Sequence, residues 1–184
     1  MELSRTAYVI LGMLQLGKRT GYEIKSLVDV STRFFWAASY GQIYPELARL
    51  EKLGLVRGQR DPDDARRRKA YHLTEAGRRA LRDWLTSSEP LHLELRHEGM
   101  LKLFFSDGLP REEQLAQLRA MRAAHAEVGD QLRSIEAEVR AARERTGNEC
   151  PYRVLRLGIE YEDFLVDWCE RAERELVGRA VSAC

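Results

Sequence analysis

The sequence has few cysteines, and their positions favour neither cross-linking nor metal binding. Cys150, Cys169 and Cys184 are widely spaced, and no Cys-x-x-Cys pair occurs. We therefore predict no disulfide framework, no zinc module, and no metal or cofactor. The N-terminus lacks the layout of a signal peptide, and no apolar run approaches the roughly 18 residues of a membrane helix. A cytoplasmic protein that makes no membrane contact is expected.

The sequence also lacks the motifs of common enzyme sites. It contains no phosphate-cradling glycine loop, no nucleophile elbow with Ser, His and Asp partners, and no His-Glu-x-x-His. Its carboxylates lie mostly on charged helix faces, where solvated side chains are the ordinary interpretation. An enzyme is therefore not predicted.

Net charge is small as well, at +1, but the charges are unevenly distributed. Residues 1–86 carry 16 Lys and Arg against 10 Asp and Glu, a balance of +6, whereas residues 87–184 carry 14 against 19, a balance of −5. A basic half beside an acidic half predicts that the first half meets a polyanion. A small polar stretch ending in Pro90 separates them, so we predict domains at 1–86 and 93–184 with a linker at 87–92.

Helical periodicity and capping residues predict two helices at the start of the first domain. The first begins at Ser4 and ends at Gly17, with apolar residues along one face. The second begins with a capping box, in which the Thr20 hydroxyl accepts from the backbone of Glu23 and the Glu23 carboxylate reaches back.

A third helix is predicted from Ser39 to Leu53, and it too begins with a capping box, completed by Gln42. Pro45 lies inside this helix, two turns from its start. Because the residue four positions earlier is Gly41, which relaxes easily, we expect a slight kink and no break. The aromatic residues 34–36 just before the helix are expected to lie in the core and to join the helices.

Two short strands are predicted next, at residues 55–60 and 69–73, separated by a charged, turn-forming tip. Thr74 and Glu75 then begin a fourth helix. This order predicts a mainly α fold with a small β-hairpin wing: a winged helix-turn-helix followed by a helical dimerisation domain. In such a fold the third helix enters the major groove of DNA and the wing contacts the backbone or the minor groove.

The candidate DNA-binding residues lie on three elements. They are Ser39, Tyr40, Gln42, Tyr44 and Arg49 on the third helix; Thr20, Tyr22 and Lys25 on the second helix; and Arg66, Arg67, Arg68 and Lys69 in the wing. Gln pairs bidentately with adenine, and Tyr or Ser hydroxyls suit phosphates or base edges. Three simpler interpretations stay open: Gln42 serves only as a cap, Tyr44 lies in the core, and the basic run is a solvated turn.

Several segments resemble the PadR family of transcriptional regulators. The most discriminating is Tyr-Gly-Gln-Ile-Tyr-Pro-Glu-Leu at residues 40–47; segments 8–14, 20–24 and 69–77 agree with it. The resemblance is close over residues 4–86, and more loosely the remainder resembles the branch with a virulence-activator-type C-terminal domain. It implies a homodimer, usually a repressor, that binds an inverted-repeat operator and responds to small aromatic compounds.

The second domain is expected to be helical throughout. A short segment near residues 93–105 precedes a long helix at 111–145, and a last helix follows residue 151. The apolar residues of the two long helices recur in steps of four and three, as in a coiled coil. We predict that they form a dimer interface, although packing within one chain has the same periodicity. The candidate dimerisation residues are Val128, Leu132, Ile135, Val139, Tyr161, Leu165 and Trp168. His125, in the same seam, is expected to be packed or bridging.

An effector pocket is predicted where Trp84, Phe104 and Phe105 converge, with core packing as the alternative role for each ring.

Two other function classes fit parts of the sequence. A winged-helix protein–protein adaptor is the alternative function, and salt-dependent operator binding distinguishes it. A MarR-like regulator is disfavoured, because that fold places a dimerising helix before the first winged-helix element and only three residues precede Ser4.

Overall fold

The chain forms two compact units, Met1–Leu91 and His92–Cys184. The computed structural model describes residues 3–60, 69–91 and 95–181, with side chains as far as residue 178. No helix among these residues is both long and apolar enough to cross a membrane.

The first unit contains four helices and a two-stranded antiparallel sheet. Its elements are α1 (Arg5–Gln15), α2 (Gly21–Val30), α3 (Tyr40–Lys52), β1 (Val56–Arg60), β2 (Lys69–Leu73) and α4 (Glu75–Leu85). A 3₁₀ turn at Thr32–Phe34 joins α2 to α3. This is the predicted order of a winged helix-turn-helix, and the fold class is confirmed.

Local sequence signals explain where these helices begin. The Ser4 hydroxyl accepts from the Ala7 N–H at the start of α1, and the capping box predicted at Thr20 and Glu23 is present. α3 continues through Pro45 without a break, as predicted. Because each cap satisfies a backbone group that the first turn leaves unpaired, the helix starts are fixed locally.

The core of the first unit lies between α1, α2 and α3. Its fully buried side chains come from these three helices and include Ile10, Leu11, Ile24, Val28, Ile43, Leu47 and Leu50. Tyr71 of β2 is 8% exposed and belongs to the same cluster, so the hairpin is attached to the helical core. Outside this cluster the Trp84 ring stacks on Tyr8, with centroids 4.5 Å apart, and so joins α4 to α1.

The second unit consists of helices, and its apolar side chains meet chiefly between two of them. The helices are α5 (Glu98–Phe104), α6 (Arg111–Ser134), α7 (Glu136–Thr146) and α8 (Glu149–Val181). α6 packs along α8, where Leu118, Met121 and Leu132 of α6 are buried. The Leu132 Cδ1 lies 3.1 Å from where a Cβ at Gly158 would be, so the two helices approach closely at this point.

The prediction of one continuous helix over residues 111–145 was wrong. The helix is interrupted at Ile135, which ends α6 and precedes α7. The Ser134 hydroxyl donates to the Gln131 carbonyl at 2.7 Å, an alternative to the helical hydrogen bond of the kind that loosens a helix end. The apolar periodicity continues across the break, which is why the sequence pattern does not reveal it.

The predicted dimerisation residues of the last helix differ in their exposure. Tyr161 and Trp168 are exposed by 42% and 37% and stay predicted dimer contacts, whereas Leu165 is buried. The buried apolar side chains of α8 are Leu155, Ile159, Leu165 and Cys169. Leu132 and Leu165 therefore pack within one chain, and this contradicts the preference for a cross-subunit seam at these two positions.

A chain of hydrogen bonds links three helices of the second unit. The His97 Nδ1 accepts from the Met100 N–H at 3.0 Å and caps α5, while its Nε2 lies 2.8 Å from the His125 Nε2. The His125 Nδ1 in turn lies 2.6 Å from Glu162 Oε2. With both rings neutral, each bond then has one donor, because His97 Nε2–H donates to His125 and His125 Nδ1–H donates to Glu162. His125 thus has the bridging role predicted for it.

Candidate DNA-binding surface

α3 has one face in the core and one in solvent. Ile43, Leu47 and Leu50 are fully buried, whereas Tyr40 and Tyr44 are exposed by 44% and 49%. Ser39 and Gln42 are exposed beside them. The helix is therefore held rigidly by its apolar stripe and presents polar and aromatic groups outward from its first two turns, the part that reaches base edges in helix-turn-helix proteins. The alternative that Tyr44 lies in the core is wrong.

The two exposed tyrosines form a fixed stack. The Tyr40 and Tyr44 rings have centroids 6.1 Å apart, and the Lys25 ammonium lies 5.4 Å from the Tyr40 centroid. On the other side Tyr44 lies against Gly21 of α2, where a Cβ would be 2.7 Å from the Tyr44 Cε1. Only glycine leaves room for this ring, so the start of α2 sets the direction of Tyr44.

Gln42 uses only part of its side chain for capping. Its Oε1 accepts from the Ser39 N–H at 2.9 Å, as the capping box requires. The exposed side chain still has its amide NH₂, and an amide nitrogen is a donor. Capping and DNA reading are therefore compatible in one residue, since the cap uses the oxygen and leaves the donors to solvent.

Arg49 is placed by a chain of contacts further along α3. The Arg49 Nη1 and the Ser4 hydroxyl each donate to Glu46 Oε1 at 2.8 Å. The Arg49 side chain is 39% exposed. Glu46 thus holds the start of α1 and the guanidinium of Arg49 together, and Arg49 has less freedom to search for a phosphate than a free arginine has.

The three candidates on α2 have different surroundings. Tyr22 is 56% exposed and points its ring into solvent. The Thr20 hydroxyl is engaged in the cap, since it accepts from the Glu23 N–H at 3.2 Å and lies 2.9 Å from Glu23 Oε2. Lys25 is ion-paired with Asp29. Thr20 and Lys25 are thus engaged within the chain, whereas the exposed Tyr22 is the most accessible of the three.

The wing strands are where the sequence predicted them, but Lys69 has an unexpected partner. β1 and β2 pair with Gly58 opposite Tyr71 and Arg60 opposite Lys69. The Lys69 Nζ lies 2.5 Å from Glu51 Oε2 in the last turn of α3. This hydrogen bond holds the pKa of the Glu51 carboxyl below its usual 4.5, against the effect of burial. Arg66, Arg67 and Arg68 lie outside the described residues.

The residues predicted to form an effector pocket belong to both units. Trp84 stacks on Tyr8 within the first unit, while Phe104 and Phe105 of the second are 78% and 71% exposed. The first unit also has an open hollow of about 730 Å³ that the sequence did not reveal. It is lined by Leu14, Gln15, Arg19, His72, Leu73, Arg78, Arg82, Leu85 and Thr86. No lining residue is acidic, so the hollow is suited to an anion with an apolar body.

Two further features were missed by sequence reasoning. Phe35 and Trp36, expected in the core, are exposed by 61% and 38% just before α3. Glu51 was not singled out, because its partners Gly58 and Lys69 are 7 and 18 residues away. A hydrophobic pattern cannot place an aromatic residue in a short turn, and an ion pair between elements has no local sequence signal.

Comparisons with known proteins agree with this geometry. Residues 10–83 match the model of the transcriptional regulator PadR-like family, and residues 95–177 match that of the virulence activator alpha C-terminal region. The negative transcriptional regulator PadR of Bacillus subtilis is 32% identical over 169 residues, which cover 89% of this chain and 92% of that protein.

Solved structures of B. subtilis PadR are similar over nearly the whole chain. Its complex with operator DNA has a TM-score of 0.85 at 28% identity and covers 95% of this chain and 99% of that chain. Its complex with p-coumaric acid has a TM-score of 0.78 at 27% identity and covers 95% and 98%. The chain therefore belongs to the PadR-like family of transcriptional regulators.

Proposed function

We propose that this protein is a homodimeric repressor that binds an inverted-repeat operator and releases it in response to a small aromatic effector. The observation that carries the proposal is that α3 has one buried apolar face and one exposed polar and aromatic face. Its buried stripe fixes the helix in the core, and its first two turns expose Tyr40, Gln42 and Tyr44. The relative whose structure contains operator DNA supports the choice of ligand.

In this proposal α3 reads the major groove and two other elements position it. The amide NH₂ of Gln42 donates to a base edge, and the tyrosine stack contacts base edges or phosphates. Tyr22 on α2 and the exposed Arg57 and Arg60 on β1 face the backbone. The wing tip adds Arg66, Arg67 and Arg68, which together would neutralise up to three phosphates.

Dimerisation is proposed through the exposed side of α8. Its large apolar side chains there recur in steps of three and four over four turns: Val154, Leu157, Tyr161, Phe164 and Trp168. This stripe, the α8 seam, is a coiled-coil pattern and has no partner among the described residues of the same unit. A second copy would cover it. Val128, Ile135 and Val139 are half-buried and remain predicted dimer contacts.

The effector is proposed to be a small aromatic acid. The relative crystallised with p-coumaric acid supports this class. In the first unit, the hollow beside Arg19, Arg78 and Arg82 combines guanidinium groups with the apolar side chains of Leu14 and Leu73. A carboxylate and an aromatic ring match those two kinds of lining. The aromatic site at Trp84, Phe104 and Phe105 stays a second prediction.

The experiment compares two substitutions of Gln42 on duplex fragments of the region upstream of the gene. Gln42→Ala removes both the cap and the donors. Gln42→Glu keeps an oxygen for the Ser39 N–H, and hence the cap, but loses the donors. If Gln42 reads a base, both variants lose about 1–3 kcal/mol of binding, mainly at one operator position, while Gln42→Glu keeps wild-type stability. Equal affinity of Gln42→Glu and the wild type would reassign Gln42 to capping alone.

Salt dependence and an effector titration complete the test. Replacing Arg66, Arg67 and Arg68 with Ala should flatten the plot of log affinity against log salt by about one unit per lost phosphate contact. Arg79→Ala, on the exposed side of α4, is the matched control for loss of charge. Adding p-coumaric acid and related aromatic acids should weaken operator binding. A protein that bound no upstream fragment at any salt concentration would favour the adaptor alternative.

A further inference from the structure

The hairpin is hydrogen-bonded to the rest of the first unit along both of its outer edges. The Gly58 N–H on β1 donates to Glu51 Oε1 at 3.1 Å, and the Tyr71 N–H on β2 donates to the Arg19 carbonyl at 2.6 Å. Gly58 and Tyr71 face each other in the register, so both amides point away from the ladder between the strands. One outward amide therefore has its partner in the last turn of α3, and the other has its partner in the loop between α1 and α2.

Glu51 contacts both strands at once. Its Oε1 accepts from the β1 backbone, and its Oε2 accepts from the Lys69 ammonium of β2 at 2.5 Å. The Lys69 ammonium also lies 5.4 Å from the centroid of Tyr71, whose side chain is buried in the core. The Lys69 ammonium is consequently held between the last turn of α3 and Tyr71 of β2.

Gly58 is the residue that admits this arrangement. A Cβ at position 58 would lie 2.1 Å from Lys69 Cε and 2.6 Å from Glu51 Oε1. Any side chain there would displace the lysine stem or the carboxylate. Three positions on three elements thus fit one another, and we call Glu51, Gly58 and Lys69 the wing brace.

The charges of the brace oppose a direct role for Lys69 on DNA. The ammonium faces a carboxylate, so the pair is neutral and offers little attraction to a phosphate. Both side chains are about one third exposed, at 33% and 32%, and ion pairs with such exposure add little to folding stability. The pair instead orients the hairpin, because it ties the tip end of β2 to the last turn of α3.

We propose that Lys69 and Glu51 are positioning residues that set the angle of the wing relative to α3, and that Lys69 does not contact a phosphate. The proposal rests on the proposed operator binding. It reverses the role that the sequence pattern assigned to Lys69 and leaves the phosphate contacts of the wing to the arginines.

Operator affinity against salt separates the two roles of Lys69. Lys69→Met should lower affinity about three- to tenfold at every salt concentration and leave the log–log slope unchanged, whereas a lost phosphate contact would flatten the slope by about one unit. Lys69→Arg, which keeps a cation for Glu51, should restore most of the affinity. Lys52→Met, the same change on the exposed end of α3, is the control for removing one ammonium.

Glu51→Gln is the sharpest test, because the two explanations predict opposite changes in operator affinity. Removing a negative charge near DNA should strengthen binding on electrostatic grounds, but the brace predicts about three- to tenfold weaker binding. The double variant Glu51→Gln/Lys69→Met should be no weaker than either single variant, because all three lose the same contact. Tighter binding by Glu51→Gln, a flattened slope for Lys69→Met, or additive losses would each overturn the proposal.

A measurement without DNA separates failure of the brace from failure of the proposed function. Amide hydrogen exchange at Gly58 should accelerate at least severalfold in Glu51→Ala, because its N–H loses its acceptor. Unchanged exchange would overturn the brace even if the operator is bound. A wild-type protein that ignores DNA but shows this acceleration would contradict operator binding and support the brace.

Discussion

At the scale of single residues, the contact between Gly21 and Tyr44 links the two helices of the helix-turn-helix. Gly21 is the first residue of α2 and is buried under the Tyr44 ring. The ring is in turn stacked on Tyr40. A glycine at this point therefore determines how two exposed aromatic groups of α3 are presented.

Gly21→Ala should reduce operator affinity more than stability. The new Cβ would lie 2.7 Å from the Tyr44 Cε1, so the ring must move, and because the ring is 49% exposed it can turn into solvent without overpacking the core. Gly12→Ala is the matched control, because a Cβ in the middle of α1 meets nothing within 4 Å. Urea unfolding and operator titration measure both effects. Wild-type affinity in Gly21→Ala would mean that the position of Tyr44 is not set by α2.

Sequence reasoning predicted those residue contacts that are local. The capping partners Thr20 and Glu23 are three positions apart, so a motif reveals them. The contact of Gly21 with Tyr44 and that of Glu51 with Lys69 join different elements, and neither partner has a neighbour that signals the other. Their discovery required the fold.

At the scale of elements, the start of α2 depends on one carboxylate. Glu23 Oε2 accepts from the Thr20 N–H at 2.9 Å and from the Arg19 N–H at 3.2 Å. Burial raises the pKa of this carboxyl, but the hydrogen bonds from Thr20 and Arg19 outweigh burial and hold the pKa below its usual 4.5. The cap of α2 is therefore coupled to pH.

The contribution of Glu23 to stability should disappear in acid. Because the pKa is lower in the folded than in the unfolded chain, the contribution is fully present above about pH 4.5 and is lost as the pH falls through the folded pKa. Glu23→Gln keeps an acceptor oxygen for the cap but loses the negative charge, which strengthens the hydrogen bonds and favours a helix N-terminus. It should lower the free energy of unfolding by about 0.3–1 kcal/mol near neutral pH, and this difference from the wild type should shrink in acid. Urea titrations at a series of pH values measure it. A difference that stays constant down to about pH 3 would contradict the mechanism.

The bounds of several elements followed from the sequence, and two features did not. β2 begins and ends as predicted, and β1 starts one residue later, because alternating side chains and turn residues define a hairpin. The break at Ile135 was missed, since the apolar repeat runs through it. The face of α8 buried within the chain, which includes Leu155 and Ile159, was not predicted, because a helix with two apolar stripes does not show which stripe a partner in the same chain covers.

At the scale of the whole molecule, the two units divide charge and apolar surface between them. Residues 1–86 have a balance of +6, and residues 87–184 one of −5. The acidic unit carries the exposed α8 seam, where Phe164 and Trp168 are 55% and 37% exposed. The proposed contact with a polyanion and the proposed self-association thus belong to different parts of the chain.

Placing charge in the α8 seam should separate the subunits without unfolding them. The double variant Phe164→Glu/Trp168→Glu puts carboxylates where two copies of α8 would meet, and buried unpaired charges oppose association. Sedimentation should then report monomers, and operator affinity should fall because a single winged helix covers about one half-site. Arg174→Glu, at a 69% exposed position on another side of α8, is the control. An intact dimer in the double variant would place the interface elsewhere.

Sequence reasoning predicted the winged-helix order and the helical second half, because each shows in patterns that extend over many residues. The packing of α6 on α8 was not, since Leu132 and Tyr161 follow the same periodicity but only Leu132 is buried within the chain. Periodicity shows that a helix face is apolar, but which element covers that face depends on how the chain folds back on itself.

The two faces of α3 also limit how this regulator can diverge. Substitutions at Ile43, Leu47 or Leu50 would damage the core, and Gly21 restricts what can replace Tyr44. Position 42 must keep an acceptor oxygen for the cap, so position 40 is the one more open to new side chains at the start of the helix. If α3 reads the operator as proposed, a change of target sequence depends on few positions, and a small library would sample them.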